Sequence, residues 1–104
     1  MVGSGNDPRD NAAVSRPVPV LIVDDQAPFR RAARAVLAAT PGFEAVGEAE
    51  SGEQALDLVA SLAPALVLMD INMPGMDGIE ASRHIVGGHP DTVVFLLSTY
   101  QADD

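Results

Sequence analysis

The sequence predicts a single α/β domain built on a parallel β-sheet. Three observations support this prediction: short apolar runs without polar alternation, helical patterns between those runs, and two runs that end in aspartate. An apolar run without alternation is typical of a parallel strand that is covered on both faces. Regular alternation of such strands with helices implies right-handed crossovers between parallel strands.

Four strands and three helices are predicted in alternating order. Pro28 suits the first turn of the first helix. Ser51 and Asp77 are predicted N-caps of the second and third helices, because each is followed three residues later by Gln or Glu. The predicted strands span residues 18–23, 43–48, 66–70 and 92–97.

Composition limits the functions open to this protein. Its 104 residues fit one domain, and a net charge of −9 argues against nucleic-acid binding by this chain. The sequence has no cysteine and no apolar run near the roughly 20 residues of a membrane span, so a soluble cytoplasmic protein is expected. Residues 1–16 are expected to form a disordered tail, and residues 17–104 the folded domain.

Carboxylates follow two of the predicted strands. Asp24 and Asp25 come directly after the first strand, and Asp70 ends the third. If these strands are neighbours, the three side chains converge at the sheet edge where open α/β folds bind ligands. Such carboxylates must take up protons or bind a cation, and an all-oxygen site favours Mg²⁺. The alternative interpretation is that Asp70 only caps a turn.

Three segments together resemble a known family. They are the Asp24-Asp25 pair, the segment from Asp70 to Gly78 that ends in Met-Pro-Gly-Met-Asp-Gly, and Leu97-Ser98-Thr99-Tyr100. From about Val18 onward the chain resembles the receiver domains of two-component response regulators. The stretch from Asp24 to Arg31, with Val46-Gly47-Glu48-Ala49 and His89-Pro90-Asp91, is most similar to the LuxR/NarL-type receivers. The resemblance implies a flavodoxin-like, three-layer sandwich with strand order 2-1-3-4.

The same resemblance implies a role for each candidate residue. Asp70 would accept a phosphoryl group from a sensor histidine kinase, and the protein would act as a signalling switch that catalyses only its own phosphorylation and dephosphorylation. Asp25 would bind Mg²⁺ directly, and Asp24 directly or through a water. Asp70 itself and the backbone carbonyl of Asn72 would complete the protein ligands. The Ser98 hydroxyl would bond a phosphoryl oxygen.

The chain also departs from the family pattern. It contains no lysine, whereas the family places a lysine at the end of a fifth strand. The sequence stops at Asp104, before the fourth helix, fifth strand and fifth helix, so a truncated receiver is expected. The apolar fourth strand would then be an exposed edge through which copies of the chain could associate. The missing last helix is also expected to uncover one sheet face over the first and third strands.

Two other functions are consistent with parts of this pattern. One is a degenerate receiver that acts as an interaction or dimerisation module without phosphorylation. The other is a Mg²⁺-dependent phosphatase of the haloacid-dehalogenase type, although its Asp-x-Asp motif differs from the adjacent Asp24-Asp25. Thr99 replaces Ser98 as the phosphoryl contact if the register is shifted by one residue.

The first predicted helix carries Arg30, Arg31 and Arg34 opposite its apolar positions. Exposed charges commonly cover the solvent side of an amphipathic helix, so these arginines are expected to form a solvated face. A docking patch for a partner is the alternative.

Overall fold

A computed structural model describes residues 16–98 of the protein. All four predicted strands and all three predicted helices are present within that range, and their ends lie close to the predicted positions. The predicted tail lies outside the described residues, apart from position 16. The elements are β1 (Val18–Val23), α1 (Ala27–Ala38), β2 (Phe43–Ala49), α2 (Gly52–Leu62), β3 (Leu66–Asp70), α3 (Gly78–Gly88) and β4 (Val93–Leu97).

The four strands form one parallel sheet in the order β2-β1-β3-β4. This order confirms the predicted fold class and places β1 beside β3. In the β1–β3 pairing Ile22 lies opposite Leu68, and in the β3–β4 pairing Asp70 lies opposite Leu97. The carboxyl ends of β1, β3 and β4 therefore meet at one edge of the sheet.

The helices cover the two faces of the sheet, and β1 lies at the centre of both layers. Val20 and Ile22 point to the face covered by α1, where they pack with Leu37. Leu21 and Val23 point to the other face. There the buried cluster is completed by residues from α2, α3, the neighbouring strands and the loop after β3: Ala49, Ala55, Val59, Val67, Met69, Met73, Ala81 and Ile85. The result is the predicted three-layer sandwich.

Both predicted N-caps are confirmed. The Ser51 hydroxyl accepts a hydrogen bond from the Gln54 N–H at 3.0 Å at the start of α2. Asp77 Oδ1 accepts one from the Glu80 N–H at 2.9 Å at the start of α3. Each bond satisfies a donor that a helix N-terminus otherwise leaves unpaired.

The uncovered apolar surface lies over β4, not over β1. Val20 and Ile22 are only 0% and 2% exposed because α1 covers them, so the prediction of an uncovered face is wrong for β1. On the same face of β3, Leu66 and Leu68 are only partly buried. In contrast, Val93 and Phe95 of β4 are more than half exposed. Among the described residues β4 is an outer strand of the sheet, as predicted. The longest described helix has 12 residues, and none of the described helices is long and apolar enough to cross a membrane.

Candidate functional site

Three carboxylates meet at the carboxyl edge of the sheet. Asp24 follows β1 directly and Asp70 is the last residue of β3. One carboxylate oxygen from each of Asp24, Asp25 and Asp70 lies within 4.8 Å of the others. Asp24 and Asp70 are buried, and Asp25 is more accessible to solvent. The structure therefore brings together the three acidic residues that the strand ends pointed to.

Local hydrogen bonds turn the chain sharply after each of these strands. Asp24 Oδ1 accepts a bond from the Gln26 N–H at 2.9 Å, just before α1 begins. Asp70 Oδ1 accepts one from the Asn72 N–H at 3.2 Å. Aspartate commonly bonds the backbone two residues further on, which stabilises a turn. Asp70 therefore caps a turn, as the alternative interpretation held, and it also belongs to the acidic cluster.

Gly78 allows α3 to begin directly against the end of β3. A Cβ at this position would lie 2.3 Å from the Asp70 carbonyl oxygen and 2.9 Å from the Ile71 Cα. The Gly78 N–H also donates to the Ile71 carbonyl at 3.0 Å. Any side chain at position 78 would push the helix away from the backbone that carries Asp70.

The environment of Asp24 disfavours its charged form. Burial is the largest cause, and it raises the pKa of the Asp24 carboxyl above its ordinary value. The hydrogen bond from Gln26 opposes this rise, while the negative charges of Asp70 and Asp25 add to it. The positive charge of Arg30 lowers the Asp24 pKa, but it is the smallest of these effects. A bound cation would relieve the repulsion within the cluster.

The loop after β1 has a further contact that sequence reasoning missed. Arg30 is not part of a solvated face, because its side chain is only 17% exposed. Its Nη1 donates to the Asp24 carbonyl at 2.8 Å, and its Nε donates to Glu48 Oε1 at 3.2 Å. Arg34 binds the other Glu48 oxygen at 2.5 Å. The prediction for the arginines is therefore wrong for Arg30, since helical spacing alone did not reveal an acidic partner on β2.

Asn72 and Ser98 reach the same edge of the sheet. Asn72 is exposed, two residues beyond Asp70. Ser98 is exposed and directly follows β4, whose last residue, Leu97, pairs with Asp70. The Leu97 carbonyl accepts a bond from the Ile71 N–H at 2.9 Å, which ties the end of β4 to the turn after β3. Thr99, the alternative to Ser98, lies outside the described residues.

A cavity of about 440 Å³ lies at the opposite end of the sheet. It is lined by residues 63–65 and 88–92, which precede β3 and β4. These segments lead into the amino ends of the two strands, so the cavity is separate from the acidic cluster. Ligands of open α/β sheets bind at the carboxyl ends, which favours the acidic cluster as the functional site.

Comparison with protein families decides the relationship. The model of the response regulator receiver domain matches residues 20–104. The chain belongs to this receiver family. The predicted resemblance is confirmed, and membership counts against the haloacid-dehalogenase alternative.

Two relatives of this receiver have names that describe different functions. It is 41% identical over 83 residues to the transcriptional regulatory protein DegU of Brevibacillus brevis, covering 80% of this chain and 35% of DegU. It is 44% identical over 87 residues to protein-glutamate methylesterase/protein-glutamine glutaminase 4 of Geobacter metallireducens, covering 84% of this chain and 25% of that protein. The receiver thus spans about a third or less of these two relatives.

A solved receiver domain has the same architecture. The signal receiver domain of the response regulator NarL from Mycobacterium tuberculosis aligns with a TM-score of 0.77 and 32% identity. The alignment covers 85% of this chain and 71% of the NarL chain. This similarity agrees with the NarL-type features found in the sequence.

Proposed function

We propose that this receiver is cytoplasmic, accepts a phosphoryl group on Asp70 from the phosphohistidine of a sensor histidine kinase, and thereby acts as a signalling switch. The observation that supports the proposal is the cluster of Asp24, Asp25 and Asp70, with carboxylate oxygens within 4.8 Å of one another. A nucleophilic carboxylate placed beside two further acids suits phosphoryl transfer only if their negative charge is neutralised.

Mg²⁺ fits this donor set. The cluster offers carboxylate oxygens from Asp24, Asp25 and Asp70, and the backbone carbonyl of Asn72 would add a further oxygen ligand. Hard oxygen ligands of this kind, few in number, suit an ion that keeps part of its water shell. When bound, Mg²⁺ supplies positive charge that offsets both the carboxylates and the oxygens of the phosphoryl group.

The remaining chemistry is done by side chains of this chain. A carboxylate oxygen of Asp70 attacks the phosphorus in line, forming a P–O bond as the P–N bond of the phosphohistidine breaks. The electron pair of that bond returns to the imidazole nitrogen of the kinase. The Asn72 N–H holds Asp70 Oδ1, which limits rotation of the nucleophile. The Ser98 hydroxyl donates a hydrogen bond to a phosphoryl oxygen. The reaction that the chain catalyses is thus its own phosphorylation and dephosphorylation.

Incubation with acetyl phosphate and Mg²⁺, followed by intact mass measurement, tests this function. We expect the wild-type chain to gain about 80 Da, the mass of one phosphoryl group. Asp70→Asn should show no gain, and Ser98→Ala should accumulate the adduct more slowly. Asp77→Asn is the matched control, because asparagine also caps a helix and the residue lies outside the acidic cluster. No adduct on the wild type, or an adduct that survives Asp70→Asn, would contradict the proposal.

The second candidate, a module that self-associates through β4, is supported by a different observation. Val93, Phe95 and Leu97 are 54%, 55% and 47% exposed on this outer strand. An apolar strand at the edge of a sheet is a template for pairing with another chain. Sedimentation velocity at micromolar concentration should show dimers that Phe95→Lys converts to monomers. A compact wild-type monomer would contradict this interaction.

A further inference from the structure

We propose that Arg30 is a positioning residue that fixes the Asp24–Asp25 loop in the geometry needed to bind a divalent cation. The inference rests on the proposed function, because it concerns cation binding at the same carboxylates. It adds a residue outside the acidic cluster, on the first helix, whose contacts set how that cluster is presented.

The Arg30 guanidinium joins the loop to β2. Its Nη1 donates to the Asp24 carbonyl at 2.8 Å and its Nε donates to Glu48 Oε1 at 3.2 Å. Glu48 lies opposite Ile22 in the β1–β2 pairing, so its backbone is fixed by the sheet. An arginine that makes two bonds in different directions holds its acceptors in a fixed relative position.

Asp24 is thereby held at three points. Its N–H donates to the Ala49 carbonyl at 3.0 Å, and its Oδ1 accepts from the Gln26 N–H. Its carbonyl accepts from Arg30. The first two bonds fix the start of the residue and its side chain, whereas the bond from Arg30 fixes the peptide that leads to Asp25. Loss of this bond frees the rotation of that peptide, and with it the direction of the Asp25 carboxylate.

Positioning and charge predict effects of opposite sign. A positive charge beside a cation site repels the cation, so removal of the Arg30 charge alone would tighten Mg²⁺ binding. Removal of the positioning bond would weaken it, because the carboxylates would no longer be preorganised. Arg30→Lys separates the two effects, since lysine keeps the charge but lacks the planar fork.

Arg34 provides a matched control on the same helix. In the described part of the chain, Arg34 shares Glu48 with Arg30 but not the bond to the Asp24 carbonyl. Arg34 is also more exposed, at 48% of its side chain compared with 17% for Arg30. Arg34→Ala therefore removes a positive charge and an ion pair from the same network and leaves the loop bond in place.

Isothermal titration calorimetry with MgCl₂ tests the inference. We expect Arg30→Lys to bind Mg²⁺ about tenfold more weakly than the wild type, as is typical for residues that orient metal ligands. Arg30→Ala should be weakened less than Arg30→Lys, because it also loses the charge that repels the cation. Arg34→Ala should stay within about twofold of the wild type. Far-UV circular dichroism checks that the variants are folded. If Arg30→Ala does not fold, Arg30→Lys still tests the inference. Wild-type affinity in Arg30→Lys, or equal weakening in Arg34→Ala, would overturn the inference.

Phosphorylation by acetyl phosphate at varied Mg²⁺ gives a second readout. Arg30→Lys should need about tenfold more Mg²⁺ for half-maximal rate, while its rate at saturating Mg²⁺ stays within about twofold of the wild type. An unchanged Mg²⁺ requirement, or an equally lowered saturating rate, would contradict positioning. If the wild type itself neither binds Mg²⁺ nor takes up phosphoryl groups, the proposed function fails together with this inference. If the wild type binds Mg²⁺ and takes up the phosphoryl group, but the Arg30 variants do not show the predicted weaker Mg²⁺ binding, only the inference about Arg30 is refuted.

Discussion

The acidic edge of the sheet and the strand β2 both carry carboxylates, in very different surroundings. Glu48 on β2 lies between Arg34 and Arg30, and its hydrogen bond to Arg34 is the largest cause that lowers the pKa of its carboxyl. Asp24 lies beside two further carboxylates, and burial raises its pKa. In this acidic protein, a carboxylate of β2 is paired with arginines, whereas three carboxylates are gathered beside one another where a cation is proposed to bind.

The difference between these regions has a thermodynamic consequence. The ion pairs of Glu48 favour the folded state at neutral pH, whereas gathering like charges at the acidic edge opposes folding. Sites that sacrifice stability for function commonly behave in this way. The two regions should therefore respond in opposite directions to a change of pH.

The largest effect is expected where the acidic edge depends on close backbone packing. Gly78→Ala places a methyl group against the Asp70 carbonyl, which is 2.3 Å from the ideal Cβ position. Overpacking of this kind costs about 1–3 kcal/mol. We therefore expect a lower free energy of unfolding in urea, together with weaker Mg²⁺ binding at the displaced edge.

Gly87→Ala, near the other end of α3, is the control for this substitution. A Cβ at position 87 would have no atom within 4 Å, so alanine should fit without strain. Replacing glycine in a helix by alanine stabilises it by roughly 0.5–1 kcal/mol. Equal destabilisation by both substitutions would show that the packing under Asp70 is not the cause.

A smaller effect is expected in the pH dependence of stability. Folding lowers the pKa of the Glu48 carboxyl below its ordinary value of 4.5. The stability that Glu48 contributes is therefore complete above pH 4.5 and is lost as the pH falls through the folded-state pKa. The pKa of Asp24 is raised from 3.8, so stability contributed by this group instead decreases as the pH rises above 3.8. The two groups thus give slopes of opposite sign.

Urea unfolding at several pH values between about 3 and 6 measures both slopes. Glu48→Gln should reduce the loss of stability below pH 4.5, and Asp24→Asn should remove the opposing loss above pH 3.8. The same change of slope in both variants would contradict the contrast between the two regions.

The sequence predicted the fold well because its signals were local. Apolar runs, the caps Ser51 and Asp77, and the strand-end aspartates all depend on neighbouring residues. The convergence of Asp24 and Asp70 also followed, since strand ends in a parallel sheet share an edge.

Contacts between distant residues were less predictable. Arg30 and Glu48 are 18 positions apart, and helical spacing could not show that β2 would bring them together. The close approach of Gly78 to the Asp70 carbonyl appears only once α3 packs against β3. The burial of Val20 and Ile22 likewise depends on where α1 lies, which alternation alone does not define.

The most direct test of the account is the melting temperature of the wild type and Asp24→Asn, each with and without Mg²⁺. Asparagine keeps the acceptor for the Gln26 N–H, so the substitution mainly removes a charge from the cluster. Without Mg²⁺, Asp24→Asn should melt at a higher temperature than the wild type, with about 4–8 °C for each kcal/mol gained. Saturating Mg²⁺ should raise the melting temperature of the wild type and leave Asp24→Asn nearly unchanged. A lower melting temperature for Asp24→Asn without Mg²⁺, or an equal rise in both proteins with Mg²⁺, would contradict a repulsive acidic edge that a divalent cation stabilises.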